Sequence, residues 1–159
     1  MLRFFLKRQI NELLKNDICL KIIGEISLFP SDIIKDLNKL SEASKENKTL
    51  NLIIAINYGS RQEITSSVKK IAQDIACKKI TITDISEKII SDNLYTKGIP
   101  DPDLIIRTGG DCRLSNFLLW QSAYSELIFM KKYWPEFNKD DFLSAINEFN
   151  QRERRFGGL

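Results

Sequence analysis

The stretch Leu50-Asn51-Leu52-Ile53-Ile54-Ala55-Ile56-Asn57-Tyr58-Gly59-Ser60 decides the fold class. Its first part is almost continuously apolar. A short run without the alternation of a half-solvated strand predicts a buried strand of the parallel-sheet kind. Asn57-Tyr58-Gly59-Ser60 then breaks the run with turn-forming residues. Ile64, Val68, Ile71, Ala72 and Ile75 follow at helical spacing, so the turn feeds a helix with one apolar face. Strand, tight turn and amphipathic helix together form the repeating unit of an α/β domain.

The alternation continues in both directions. Upstream, Leu6, Ile10, Leu13 and Leu14 predict a helix over 2–15, and Ile18-Cys19-Leu20-Lys21-Ile22-Ile23-Gly24 reads as a strand ending at a glycine. Pro30-Ser31-Asp32 signals a helix start, and Ile33, Leu37 and Leu40 give its stripe. Downstream, Thr83-Asp84 is expected to cap a short helix carrying Ile85, Ile89 and Ile90. Residues 103–106 read as a short buried strand, 114–124 as partly helical, and 126–130 as another strand. Asn138 to Asp141 opens a last helix with Phe142, Ala145, Ile146 and Phe149 facing inward. No repeat, low-complexity tract or linker interrupts this order. Residues 1–159 are therefore expected to form one α/β domain, a mostly parallel sheet flanked by helices.

Composition narrows the chemistry. With 159 residues and 43% hydrophobic content, the chain can build a core of ordinary size. It contains no histidine, which excludes a histidine general base, a Ser-His-Asp triad and a histidine-ligated zinc within the chain. Cys19, Cys77 and Cys112 lie far apart and form no Cys-x-x-Cys pair, so free thiols in a reducing, cytoplasmic setting are expected. A net charge of +3 permits anionic ligands. Without a clustered basic stripe it does not predict nucleic acid. No run approaches the ~18–20 apolar residues of a membrane span, so membrane association is expected to be peripheral at most. Met1-Leu2-Arg3-Phe4-Phe5-Leu6 lacks the apolar core and cleavage site of a signal peptide.

Ligands of such sheets bind beyond the carboxyl ends of the strands, which directs attention to two turns. In Arg107-Thr108-Gly109-Gly110-Asp111-Cys112-Arg113-Leu114-Ser115-Asn116, two arginines flank a glycine pair, and a serine follows. Glycine lets backbone approach a ligand, arginine suits phosphate oxygens, and a serine at a helix start adds a donor in a favourable field. One reading is a phosphate or diphosphate site. The other is a polar surface turn whose arginines pair with Asp101, Asp103 or Asp111. Glu126, opening a strand just after this turn, is either a magnesium ligand beside the phosphate or an exposed strand-end glutamate. The turn at 57–61 has the same strand-turn-helix form, and a structural role is the simpler reading there. Arg152-Glu153-Arg154-Arg155-Phe156-Gly157-Gly158 either compensates a helix dipole or supplies arginines to a diphosphate of a neighbouring subunit. Trp120, Tyr124, Phe129 and Trp134 are expected in the core or at an interface.

Residues 106–121, Ile-Arg-Thr-Gly-Gly-Asp-Cys-Arg-Leu-Ser-Asn-Phe-Leu-Leu-Trp-Gln, closely resemble the signature of the cis-prenyltransferases, the undecaprenyl diphosphate synthase or isoprenyl transferase family. Residues 57–64, Trp134-Pro135-Glu136-Phe137 and the closing Arg152 to Gly158 resemble further parts of it. The resemblance implies condensation of isopentenyl diphosphate with an allylic diphosphate such as farnesyl diphosphate, with Mg²⁺, towards the cell-wall lipid carrier. It implies Arg107, Arg113, Leu114 and Ser115 in the isopentenyl diphosphate site, Glu126 as a Mg²⁺ ligand, and Arg155 and Gly157 in a tail that contributes to a diphosphate site. A homodimer, or a heteromer with a related synthase, is implied as well. The family's Asp-Gly-Asn-Gly-Arg-Trp loop and its Asn-Trp segment do not occur in this sequence. The expectation is therefore a cis-prenyltransferase-like domain lacking its N-terminal strand and loop, with no catalytic aspartate or asparagine of its own. Two alternatives are a non-catalytic partner subunit and a plain phosphate-ligand module. Asp111 stands where glutamate is usual, Cys112 where a polar residue is usual, and Ser60 where a glycine is usual.

Overall fold

The computed structural model describes residues 15–153. The helix expected over 2–15, and Arg155 and Gly157 of the tail, lie outside all or most of that range. The chain divides into two compact units, the first ending at Thr96 and the second beginning at Lys97.

The first unit is built from β1 (Ile18–Ile23), α1 (Ser31–Ser44), β2 (Leu50–Ala55), α2 (Ser60–Ala76) and the short α3 (Glu87–Ser91). β1 and β2 pair in parallel, Ile18 opposite Leu50 and Ile23 opposite Ala55. Helix α1 begins directly after Pro30, with Asp32 in its first turn where a carboxylate suits the helix dipole. Its Leu37 and Leu40 pack with Leu20 of β1 as a buried cluster, which Ile22, Ile33, Ile54 and Ile56 border. Ser44 ties the same helix to the strand by accepting the Leu20 N–H at 2.9 Å. At the carboxyl end of β1, Gly24 has φ +109°, and a Cβ there would stand 2.1 Å from the Ile56 carbonyl oxygen. Only glycine fits both that dihedral and that approach.

Three expectations change here. β2 exists, but it is not buried on both faces: Leu50 is 54% and Leu52 37% exposed. Among the described residues it pairs with β1 alone. Helix α2 also forms, but its buried stripe is Ser60, Glu63, Ser67 and Ile71, while Val68 is exposed. Small serines allow close packing on that side, and they shift the inward face by about one position from the apolar one. Thr83-Asp84 is not a helix cap. Thr81 and Asp84 close a 3₁₀ turn over Ile82–Asp84, and Ser86 caps α3 by accepting the Ile89 N–H at 3.3 Å.

The second unit holds β3 (Leu104–Arg107), β4 (Glu126–Phe129) and α4 (Lys139–Gln151). β3 and β4 run parallel, Leu104 opposite Glu126 and Arg107 opposite Phe129. Both sheets therefore show the parallel pairing that the apolar runs predict. Asn138 caps α4 by accepting the N–H groups of Asp140 and Asp141 at 2.9 and 3.2 Å. Phe142, expected inside, is 47% exposed, and Ala145 is the buried residue of the helix. Residues 114–124 form turns rather than a helix. Ser115, Asn116 and Leu118 take left-handed dihedrals (φ 48°, 66° and 47°), which no right-handed helix accommodates. Cys19, Cys77 and Cys112 are free thiols, as their spacing predicts.

Candidate functional site: an arginine turn beside an apolar pocket

β3 delivers Arg107 to its carboxyl end, and the chain then turns sharply through Gly109 (φ +94°) and Gly110 (φ +81°). No atom crowds either glycine: a Cβ would meet its nearest neighbours at 3.9 and 4.0 Å. The dihedral, not close approach, is what requires glycine here. The two amides are also committed within the fold. Gly109 N–H donates to the Lys132 carbonyl at 2.8 Å and Gly110 N–H to the Met130 carbonyl at 2.9 Å. The glycine pair is thus a hinge pinned to the chain beyond β4 rather than a backbone cradle for an anion.

The side chains converge instead. The Arg107 guanidinium donates to the Ser115 hydroxyl at 2.8 Å, to the Arg113 carbonyl, and to Asp111 Oδ2 at 3.1 Å. Arg113 donates to the same Asp111 oxygen at 2.6 Å. Of the sequence readings left open, arginine pairing with Asp111 is what the structure contains. It leaves two guanidinium groups on one carboxylate, a local surplus of one positive charge. These are surface pairs, and such pairs contribute little stability, so an incoming phosphate can replace the carboxylate at small cost. Ser115 sits at no helix start; its place depends on its left-handed backbone and on Arg107. Leu114 faces a pocket of about 290 Å³ that Ile105, Ile106, Arg107, Thr108 and Phe117 complete. Apolar walls with a cation at the rim suit a small anion carrying a short hydrocarbon tail.

Glu126 opens β4, as expected, but at the amino end of the sheet. The register sets it opposite Leu104, three residues before Arg107, or ~10 Å at ~3.3 Å per residue. What the fold brings to it is Arg152 at the end of α4, whose guanidinium donates to Glu126 Oε2 at 2.7 Å, to the Leu127 carbonyl at 3.2 Å and to Glu148 at 2.5 Å. Those carboxylates, Glu126 first, hold the Arg152 pKa above its ordinary value. Among the described residues no three carboxylate or thiolate side chains gather tightly enough to enclose a cation. Mg²⁺ commonly takes one or two protein carboxylates and completes its shell with phosphate oxygens and water, so Glu126 fits as a single protein ligand.

One buried charged residue escaped sequence reasoning. Glu63 is fully buried at the start of α2. It accepts the Tyr58 hydroxyl at 2.5 Å and the Tyr95 N–H at 2.7 Å, and the Tyr58 and Tyr95 rings meet edge-on at 6.3 Å. It thereby fixes the 57–61 turn at the carboxyl end of β2. The signal lay in its spacing with Ser60, Ser67 and Ile71, which a purely apolar pattern does not register.

A family model described as "Putative undecaprenyl diphosphate synthase" matches residues 1–157. The chain belongs to this cis-prenyltransferase family. An isoprenyl transferase of Brucella suis is 48% identical over 159 residues, all of this chain and 63% of that relative. One from Rickettsia bellii is 47% identical over 157 residues, 99% of this chain and 67% of the relative. The chain therefore spans somewhat under two thirds of the length of the first of these relatives. Among solved structures, lavandulyl diphosphate synthase from Lavandula x intermedia, in complex with dimethylallyl diphosphate, is similar at a TM-score of 0.93 and 34% identity, covering 98% of this chain and 68% of that one. A probable undecaprenyl diphosphate synthase from Campylobacter jejuni is similar at 0.84 and 33%, covering 98% and 71%. These neighbours are prenyl diphosphate synthases by name, and the α/β architecture is theirs. No helix among the described residues is long and apolar enough to cross a membrane.

Proposed function

We propose that this cis-prenyltransferase chain supplies the isopentenyl diphosphate site of a prenyl transfer reaction that extends an allylic diphosphate such as farnesyl diphosphate. The observation that carries the reading is the convergence of Arg107, Arg113 and Ser115 at the carboxyl end of β3, beside a pocket with apolar walls. The diphosphate displaces Asp111 and takes the two guanidinium forks, while the five-carbon chain enters between Leu114, Ile106 and Phe117. Arg107 is the anchor. Its contacts to Ser115 and to the Arg113 carbonyl hold its plane in place before the ligand arrives, which reduces the ordering cost of binding.

In the reaction the isopentenyl double bond attacks the allylic carbon as diphosphate departs, and a proton is lost. The arginines align the nucleophile and neutralise its charge. Glu126 is the residue proposed to hold Mg²⁺, which when bound supplies positive charge to diphosphate oxygens. Mg²⁺ dependence, a role in cell-wall lipid carrier synthesis, and a dimer in which Arg155 and Gly157 reach a diphosphate belong to the same reading. So does a single domain over 1–159. The Asp-Gly-Asn-Gly-Arg-Trp motif does not occur in the sequence, so these residues account for binding isopentenyl diphosphate rather than for expelling the allylic leaving group.

Calorimetric titration with isopentenyl diphosphate tests this. Binding is expected to exceed that of inorganic diphosphate, and Arg113→Ala is expected to weaken it roughly ten- to hundredfold, the scale of one charge-assisted hydrogen bond at ~1.5–3 kcal/mol. Equal affinity for the two ligands, or an unchanged constant in Arg113→Ala, refutes the reading. Incubation with farnesyl diphosphate and labelled isopentenyl diphosphate then separates binding from turnover.

A further inference from the structure

We propose that Arg152 is the resident cation of Glu126, and that its guanidinium and a divalent metal occupy that carboxylate by turns. The inference rests on Glu126 as the metal ligand. It concerns what must happen before a metal reaches it.

The geometry is that of a latch. Arg152 is the last residue of the α4 boundary, with extended dihedrals (φ −82°, ψ 135°) just past the helix. Its guanidinium crosses to the first residue of β4 and binds both the Glu126 carboxylate and the neighbouring Leu127 carbonyl. A metal on a Glu126 oxygen lies ~2.1 Å from it and hence ~5 Å from the guanidinium. At that separation even the dielectric constant of water leaves a repulsion between a single and a double positive charge worth more than tenfold in affinity. The two cations therefore exclude one another unless the arginine moves. Glu148 makes movement inexpensive. One helical turn before Arg152, it already accepts the second arm of the guanidinium, so Arg152 can leave Glu126 without becoming an unpaired charge. A guanidinium keeps its charge at any ordinary pH, with or without Glu126 as partner, so release follows cation binding and not deprotonation.

The test uses the full chain and Mn²⁺ as the probe, its free fraction read by electron paramagnetic resonance at low ionic strength without substrate. Arg152→Gln keeps a donor for the Leu127 carbonyl and removes the charge. It is expected to bind Mn²⁺ about tenfold more tightly than the wild type, and adding Glu126→Gln should abolish the gain. Unchanged or weaker binding in Arg152→Gln overturns the latch; if Glu126→Gln alone still weakens the wild type, the metal role of Glu126 survives that failure. A gain that persists in the double variant places the metal elsewhere and overturns both. A measurement on the unaltered protein guards against misfolding of the variant: Mg²⁺ is expected to shift the Arg152 Nε–H resonance, and a resonance unmoved through the titration refutes the exchange.

Discussion

Gly24→Ala and Gly98→Ala make a useful pair, because both replace a glycine of positive φ and differ most in the space around it. At Gly98 (φ +73°) nothing lies within 4 Å of the added methyl, so the cost is the dihedral alone, about 1 kcal/mol. At Gly24 (φ +109°) the methyl would sit 2.1 Å from the Ile56 carbonyl oxygen, over an ångström inside van der Waals contact. The obstacle is backbone, so relief means separating the ends of β1 and β2. Two hydrogen bonds hold that junction, Ile56 N–H to the Ile23 carbonyl at 2.9 Å and Glu25 N–H to the Asn57 carbonyl at 3.2 Å. Losing both costs about 1–3 kcal/mol, and the strained dihedral adds about 1–3. The total, roughly 2–6 kcal/mol, is a large part of the stability of an ordinary domain. Urea unfolding followed by circular dichroism measures both variants. Gly24→Ala should lose at least twice what Gly98→Ala loses. Equal losses would refute the claim that close approach adds to the dihedral in selecting glycine at the end of β1.

Glu63→Ala leaves the Tyr58 hydroxyl and the Tyr95 N–H without that acceptor, and at about 1–3 kcal/mol per lost acceptor it should destabilise by about 2–6 kcal/mol in the same urea assay. Glu63→Gln keeps an acceptor and should lose less than half as much. Arg107→Lys keeps the charge but cannot span Ser115 and Asp111 as the fork does; isopentenyl diphosphate titration should show at least tenfold weaker binding with the melting temperature nearly unchanged. Asp141 has its pKa lowered from 3.8, first by the Lys132 hydrogen bond and then by the Asn138 N–H. A carboxylate whose folded pKa is depressed stabilises above its unfolded value and loses that contribution as pH falls through the folded one. Thermal melts from pH 6 down to about 2.5 should therefore fall below about pH 4, less steeply in Asp141→Asn than in the wild type.

Local chemistry made much of this protein legible in advance. Apolar runs at 18–23, 50–56, 104–106 and 126–129 mark strands because they are short, rich in β-branched residues and bounded by turn-forming residues, and a strand forms in each of them. Asn138 marks the start of α4 because its side chain can meet only nearby amides. That Arg107, Asp111, Arg113 and Ser115 lie close together was legible too, since all four fall within one turn of chain; the choice of Asp111 over Asp101 and Asp103, and the Arg107–Ser115 contact, were not. Residues 114–124 misled because their apolar content resembles a helical face, whereas three left-handed dihedrals, which composition does not reveal, break the helix.

What only the tertiary structure decided are the contacts between residues distant in the chain. Glu63 reads as a solvated helix position until Tyr95, 32 residues on, is folded onto it. Glu126 reads as a neighbour of the arginine turn because it follows that turn closely in sequence. A parallel strand pair instead returns the chain to the amino end before it begins β4, and so hands Glu126 to Arg152. The sequence by itself determined which runs form strands and that Arg107, Asp111 and Arg113 share one turn, because those properties reside in short-range sterics and closeness along the chain. Which carboxylate meets which cation depends on register and strand direction, and those exist only once the sheet has formed.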